Sequence, residues 1–299
     1  MNEQWPKAIL VLFGVAALGV LFTLPFRPSD TAPHPRSRSL SFWVGQLDTK
    51  DGQKAQIALR TIGLKAVPLL LAKLRQGDAL PAETVGALRA LGPDAVPSLV
   101  AALDDHCEEV RITAITTIGA LRQQIGQQVT TVVPGLARNV SDPSADVRIA
   151  AMVVLAGIGP RSAPAIPALI RTLNYDETGS DQTTCVRAKA AHALGRIGPL
   201  AQAAVPALTG LLTDPDWYTR QQGALAIWRI THDANQVVPA LSEMLVDPDN
   251  TVRQSAALTL SQIGVETSFE LDLQARIQAA KPHVIRRMAR LAPTRSEEP

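Results

Sequence analysis

The chain has 299 residues, 46% of them hydrophobic and only 4% aromatic, so its core must come mainly from Ala, Leu, Val and Ile, which points to close helix packing and away from a β-sandwich. A formal net charge of +2 is too small, without a concentrated basic patch, to make nucleic acid the main partner. Two cysteines, Cys107 and Cys185, set no disulfide framework and leave the redox compartment open.

After a short tail of residues 1–7, the stretch "AILVLFGVAALGVLFTLPF" at 8–26 carries no charge and is bracketed by Lys7 and Arg27. As a helix it spans roughly 28 Å, close to the hydrocarbon thickness of a bilayer. A cleaved signal peptide is the competing reading. The apolar run is long for one, and no small-x-small cleavage site follows it, so the expectation is an uncleaved single-pass transmembrane anchor. Lys7 lies on one flank and Arg27, Arg36 and Arg38 on the other, which leaves the side of the soluble part open. Residues 27–39, "RPSDTAPHPRSRS", are rich in Pro and Ser and read as an extended linker.

From residue 40 a ladder of arginines sets the organisation. Arg111, Arg148, Arg187, Arg220, Arg253 and Arg286 are spaced by 37, 39, 33, 33 and 33 residues, and a period near 33 marks a repeat array. Asp105, Asp142, Asp181, Asp214 and Asp247 each stand six residues before one of the first five, while Ala280 takes that place before Arg286. Pro97, Pro134, Pro206 and Pro239 each follow a valine, eight residues before an aspartate. Each unit therefore predicts two helices: a first one with Pro in its opening turn, an aspartate-led turn, and a second one carrying the arginine. In the second helix, positions −1, +3, +7 and +10 from the arginine are apolar or small, one helical face. Gly-Pro pairs at 92, 159 and 198 close second helices.

The Asp-Pro turn, the Val-Arg start and the mid-helix Ala resemble HEAT repeats, especially the short bacterial kind of the phycobilisome lyase-like proteins. The resemblance covers about residues 40–291, with a tail at 292–299. It implies an all-α fold, an α-α superhelix (HEAT-type, armadillo-like α-solenoid) of about seven to eight helical hairpins behind the membrane anchor. It also implies that first helices line the convex face and second helices the concave one, with the arginines and turn aspartates as a structural ladder stapling each unit to the next. The end units depart from the pattern: Gly52 and Pro81 stand where arginine is due, and Pro293 follows Arg286 where an apolar residue belongs. Terminal repeats degenerate where one side has no neighbour to pack on.

A hairpin of about 33 residues cannot bury its own apolar face, so each copy serves as the lid of the last. Function must then reside in what differs between copies. Positions +2, +6 and +9 of the second helices are expected to line the groove. They are small in two units (Thr113, Thr117, Ala120; Ala150, Val154, Gly157) and polar to basic in three (Lys189, Ala193, Arg196; Gln222, Ala226, Arg229; Ser255, Thr259, Gln262). Lys189, Arg196, Gln222, Arg229 and Gln262 are therefore the candidate partner-binding residues, suited to an extended acidic protein segment. Four extra residues after Ile118 predict an added helical turn ending on Ile125. Six more before Asp181 predict a candidate recognition loop carrying Tyr175, Asp176 and Glu177.

No phosphate loop, nucleophile elbow or paired-cysteine zinc motif is present. Cys185 and His192 lie about 10 Å apart along one helix, too far to chelate one metal unaided. Trp217, Tyr218 and Trp228 read as packing or groove-edge residues. The expectation is a non-catalytic, cofactor-free, membrane-tethered scaffold for a protein partner. A chromophore lyase or other enzyme on the same architecture, and a nucleic-acid-binding protein, are the alternatives.

Overall fold

The structure, a computed structural model, describes residues 39–47, 49–77, 81–174 and 181–263, without the side chains of 181–185. The expected anchor at 8–26, nearly all of the linker, the loop with Tyr175, Asp176 and Glu177, the Asp181 and Cys185 side chains, Arg286 and the tail lie outside the described residues.

The described residues form fourteen α-helices and no strand. They fall into two compact units, Met1–Thr172 and Leu173–Pro299. Unit one contains α1 (Leu40–Val44), α2 (Gly52–Ile62), α3 (Val67–Arg75), α4 (Pro81–Ala90), α5 (Val96–Ala102), α6 (Glu108–Leu121), α7 (Val129–Asn139), α8 (Ala145–Ile158) and the start of α9 (Ile166–Leu173). The second helices α2, α4, α6 and α8 pack side by side, and α5 and α7 pack on one another in a second row. Unit two contains α10 (Asp181–Ile197), α11 (Val205–Gly210), α12 (Trp217–Thr231), α13 (Val238–Met244) and α14 (Asn250–Gln262). Here α10, α12 and α14 form the row, with α11 against α12 and α13 against α14.

Proline stands in the first turn of α3, α5, α11 and α13, where the missing N–H has no intrahelical partner to lose. Between hairpins, Gly92, Gly159 and Gly198 take φ of 77°, 72° and 76°; this left-handed backbone ends each second helix where a Cβ would strain it. The apolar positions are inside: Val110, Ala114, Ile118 and Leu121 of α6 are fully buried, as are Val186, Ala190, Leu194 and Ile197 of α10. Each large side chain so buried stabilises the stack by about 1.5–3 kcal/mol. Ala145–Leu173 is long and apolar enough to cross a bilayer, but its hydropathic core is 61% buried within the protein, and a 3-10 segment at Gly159–Ala165 interrupts it.

One sequence expectation is corrected. The extra residues after Ile118 add no turn to α6, which at 14 residues equals α8 in length. Residues 122–124 instead form a turn, closed by the Ile125 N–H on the Leu121 carbonyl at 3.1 Å. Ile125 is nonetheless only 2% exposed, because the turn folds it back over the core.

Candidate functional site

The period-setting arginines have a shared local task. Nη1 of Arg111 donates to the carbonyls of Asp105 and His106 at 2.8 and 3.1 Å. Arg148, Arg220 and Arg253 do the same to Asp142 and Pro143, Asp214 and Pro215, and Asp247 and Pro248. These carbonyls precede the helix and have no backbone partner, so a guanidinium six residues on satisfies them. The turn aspartates act in parallel: Asp142, Asp214 and Asp247 each accept the N–H two residues on at 2.9 Å, and the residue held there (Ser144, Asp216, Asp249) caps the second helix.

The same arginines also reach forward. Arg111 grips Asp142 through Nε and Nη2 at 2.8 and 2.9 Å, and Arg187 reaches Asp214 at 2.9 Å. Among the described residues no ion pair joins Arg220 to Asp247, and Arg220 donates to its own turn. At the amino-terminal side an arginine outside the period takes the forward role: Arg75, in the last turn of α3, donates through Nε and Nη2 to Asp105. The Arg75 hydrogen bond holds the Asp105 carboxyl below its ordinary range. The sequence reading missed Arg75 because it sits on a first helix; its spacing of 36 from Arg111 is the signal that could have found it.

The groove assignment needs revision. Position +6 is buried in all five units, with Thr117, Val154, Ala193, Ala226 and Thr259 at most 3% exposed. Thr113, Ala150 and Gln222 at +2 are buried as well. α6 and α12 each pack against second helices on both flanks, so their buried arc is wider than a single stripe. Lys189 and Arg229 are half-buried, and Arg196 and Gln262 are exposed.

In unit two these residues converge. The backbones of α10 and α12 approach closely at Gly195, where a Cβ would lie 2.9 Å from the Ala226 Cα. On either side of this contact the helices meet in register. Lys189 Nζ lies 5.9 Å from the Tyr218 ring centre, His192 Nδ1 lies 3.3 Å from Gln222 Oε1, and the Arg229 carbonyl is 4.0 Å from the Cβ position of Gly198. Lys189, His192 and Arg196 stand at i, i+3 and i+7 on α10 and face Arg229 of α12. Among the described residues no ion pair engages Lys189, Arg196 or Arg229, and Nη1 of Arg229 is buried without a hydrogen-bond partner.

The electrostatics record this crowding. Burial, then the charge of Arg196, lowers the Arg229 pKa. The His192 pKa is lowered first by burial, against the raising effect of the Gln222 hydrogen bond, and then by Arg229, Lys189 and Arg196. An unfolded chain protonates this imidazole near about pH 6.5, whereas the folded one resists, so stability held above that pH is lost as pH falls toward the lowered folded value. The urea-midpoint difference between the wild type and His192→Gln should therefore move against the wild type from pH 7 to pH 5. A difference that stays constant would show that His192 is not desolvated.

Of the aromatic residues, Trp217 meets Tyr218 edge-on at 5.8 Å and Trp228 meets His232 at 6.1 Å. Gln262 of α14 joins none of these contacts; the α12–α14 link runs instead from Gln221 Nε2 to Thr259 Oγ1 at 2.8 Å.

Comparison with known proteins bears on fold. The HEAT repeats family model matches residues 131–228 and again 205–292. No curated protein matches the sequence. Among solved structures, the complex of CpcE and CpcF of phycocyanin lyase from Nostoc sp. PCC7120 is 22% identical with a TM-score of 0.45, covering 89% of this chain and 97% of that one. An engineered protein is 21% identical with a TM-score of 0.44 over 76% of this chain and 97% of its own. The karyopherin Kap121p, bound to the extreme C-terminus of the protein phosphatase Cdc14p, is 14% identical with a TM-score of 0.51. That likeness covers 88% of this chain but only 33% of the karyopherin, and it speaks to the helical-repeat fold alone.

Proposed function

Because the family matches together run over residues 131–292, more than half of its length, the chain belongs to the HEAT-repeat proteins, and from that premise we propose that it is a non-catalytic scaffold, tethered to a membrane by residues 8–26, that holds an acidic protein partner on α10 and α12. The observation that carries the reading is the convergence of Lys189, Arg196 and Arg229 with no carboxylate among the described residues. An uncompensated cation cluster with Lys189 and Arg229 half-buried costs stability in the free protein; an incoming anion turns that cost into affinity and selects against basic competitors. The apolar, charge-free run at 8–26 supports the tether, which would raise the local concentration of whatever is bound.

The test is co-purification of the full chain from detergent-solubilised native membranes, beside a variant with Lys189, Arg196 and Arg229 all changed to Ala. Each lost charge-assisted hydrogen bond is worth about 1.5–3 kcal/mol, so a partner held by the wild type should fall more than about tenfold in the variant, with the melting temperature unchanged or raised. Equal retention by the variant, or no partner at all, would defeat the binding reading. The tether stands or falls separately, on whether carbonate-washed membranes retain the chain.

A further inference from the structure

We propose that the cationic face of α10 and α12 is a receptor for one phosphate monoester, a phosphorylated side chain of the partner, bridged by Lys189, Arg196 and Arg229. The inference rests on the binding reading above and gives the ligand its chemistry. Two helices brought to backbone contact at Gly195 and Ala226 hold three permanent cations around His192, all three of which raise the cost of protonating it. A carboxylate brings one charge and two coplanar oxygens, enough for one guanidinium. A phosphate monoester brings about 1.5–2 negative charges and three acceptor oxygens in a tetrahedron, which can serve donors arriving from two helices at once. Among the described residues Nη1 of Arg229 has no acceptor, so turning the guanidinium toward an incoming phosphate breaks no hydrogen bond at that nitrogen.

The cluster is also local. On α14 the corresponding positions are Ser255, Thr259 and Gln262, uncharged, and Thr259 is committed to Gln221. A nucleic-acid backbone needs cations repeated along a track, whereas one isolated cluster suits one phosphate. Gln222 and Tyr218 frame the site on the α12 side, through His192 and Lys189 respectively.

The experiment follows His192 in the detergent-solubilised full chain, with its histidines labelled and His192 assigned by its loss in His192→Gln. Inorganic phosphate is titrated at constant ionic strength, with acetate as the carboxylate control. The expected result is a saturable shift of the His192 resonance and an upward move of its pKa, at least tenfold weaker with acetate and abolished in Arg229→Met. Phosphate acting without saturation, acetate acting equally, or an unchanged response in Arg229→Met would overturn the proposal. O-phosphoserine and phosphatidic acid vesicles then compete for the phosphate-loaded protein. Displacement by phosphoserine supports a protein ligand, and displacement by the vesicles alone overturns it in favour of a lipid. A failed titration beside a successful co-purification would leave the scaffold reading intact with a carboxylate partner, so the two failures are distinguishable.

Discussion

Changing Asp142 to Ala should destabilise the protein by about 3–5 kcal/mol, the cost of breaking a buried ion pair from one side. Asp142 is 9% exposed, accepts two hydrogen bonds from Arg111 and holds the Ser144 N–H. Removing its carboxylate leaves a guanidinium whose side chain is only 13% exposed without an anion, and loosens the turn that starts α8. Asp247→Ala is the matched comparison. It loses the bond to the Asp249 N–H and, among the described residues, no ion pair, so a cost of about 1 kcal/mol, that of one hydrogen bond, is expected. Urea midpoints at unchanged slope measure both. Adding Arg111→Met to Asp142→Ala should recover part of the loss, because the unpaired charge goes with it. Equal costs for the two aspartates would show that the forward grip contributes nothing to stability.

Gly195→Ala should cost about 1–3 kcal/mol by overpacking and weaken phosphate at the site while leaving every cation in place. The added Cβ would stand 2.9 Å from the Ala226 Cα and 3.2 Å from its Cβ. Backbone cannot rotate away as a long side chain can, so α10 and α12 must separate. Gly210→Ala tests whether the effect belongs to the contact. Nothing lies within 4 Å of a Cβ there, and the substitution should stabilise by about 0.4–1 kcal/mol. If Gly195→Ala melts with the wild type and binds phosphate as well, the close approach is not what shapes the site.

The legible part of the fold was its period. The Asp-to-Arg spacing of six reports a hydrogen bond, since Nη1 must reach carbonyls six and five residues back. The apolar positions of α6 and α10 were readable because burial along one side of a helix leaves a 3.6-residue signature. The groove was harder to read. Thr117, Ala193 and Ala226 are small because a neighbouring helix presses on them, and in sequence this is indistinguishable from a smooth open surface. Gln222 similarly looked like an exposed polar residue, and only the α10–α12 register places it against His192. Lys189, Arg196 and Arg229 follow from position alone; the close approach of α10 and α12 rests on Gly195, which carries no charge and no motif.

The two-directional arginines separate the repeat as written from the repeat as built. Arg111 belongs to the turn that begins at Asp105, yet its remaining nitrogens are spoken for by Asp142, a residue of the following copy. A joint cut where the sequence pattern restarts, after α6, would carry off a guanidinium and leave behind the carboxylate that neutralises it. A cut before the Asp105 turn parts Arg75 from Asp105 in the same way, so in this stretch neither boundary falls clear of an ion pair, and neighbouring copies are joined by charge as well as by packing.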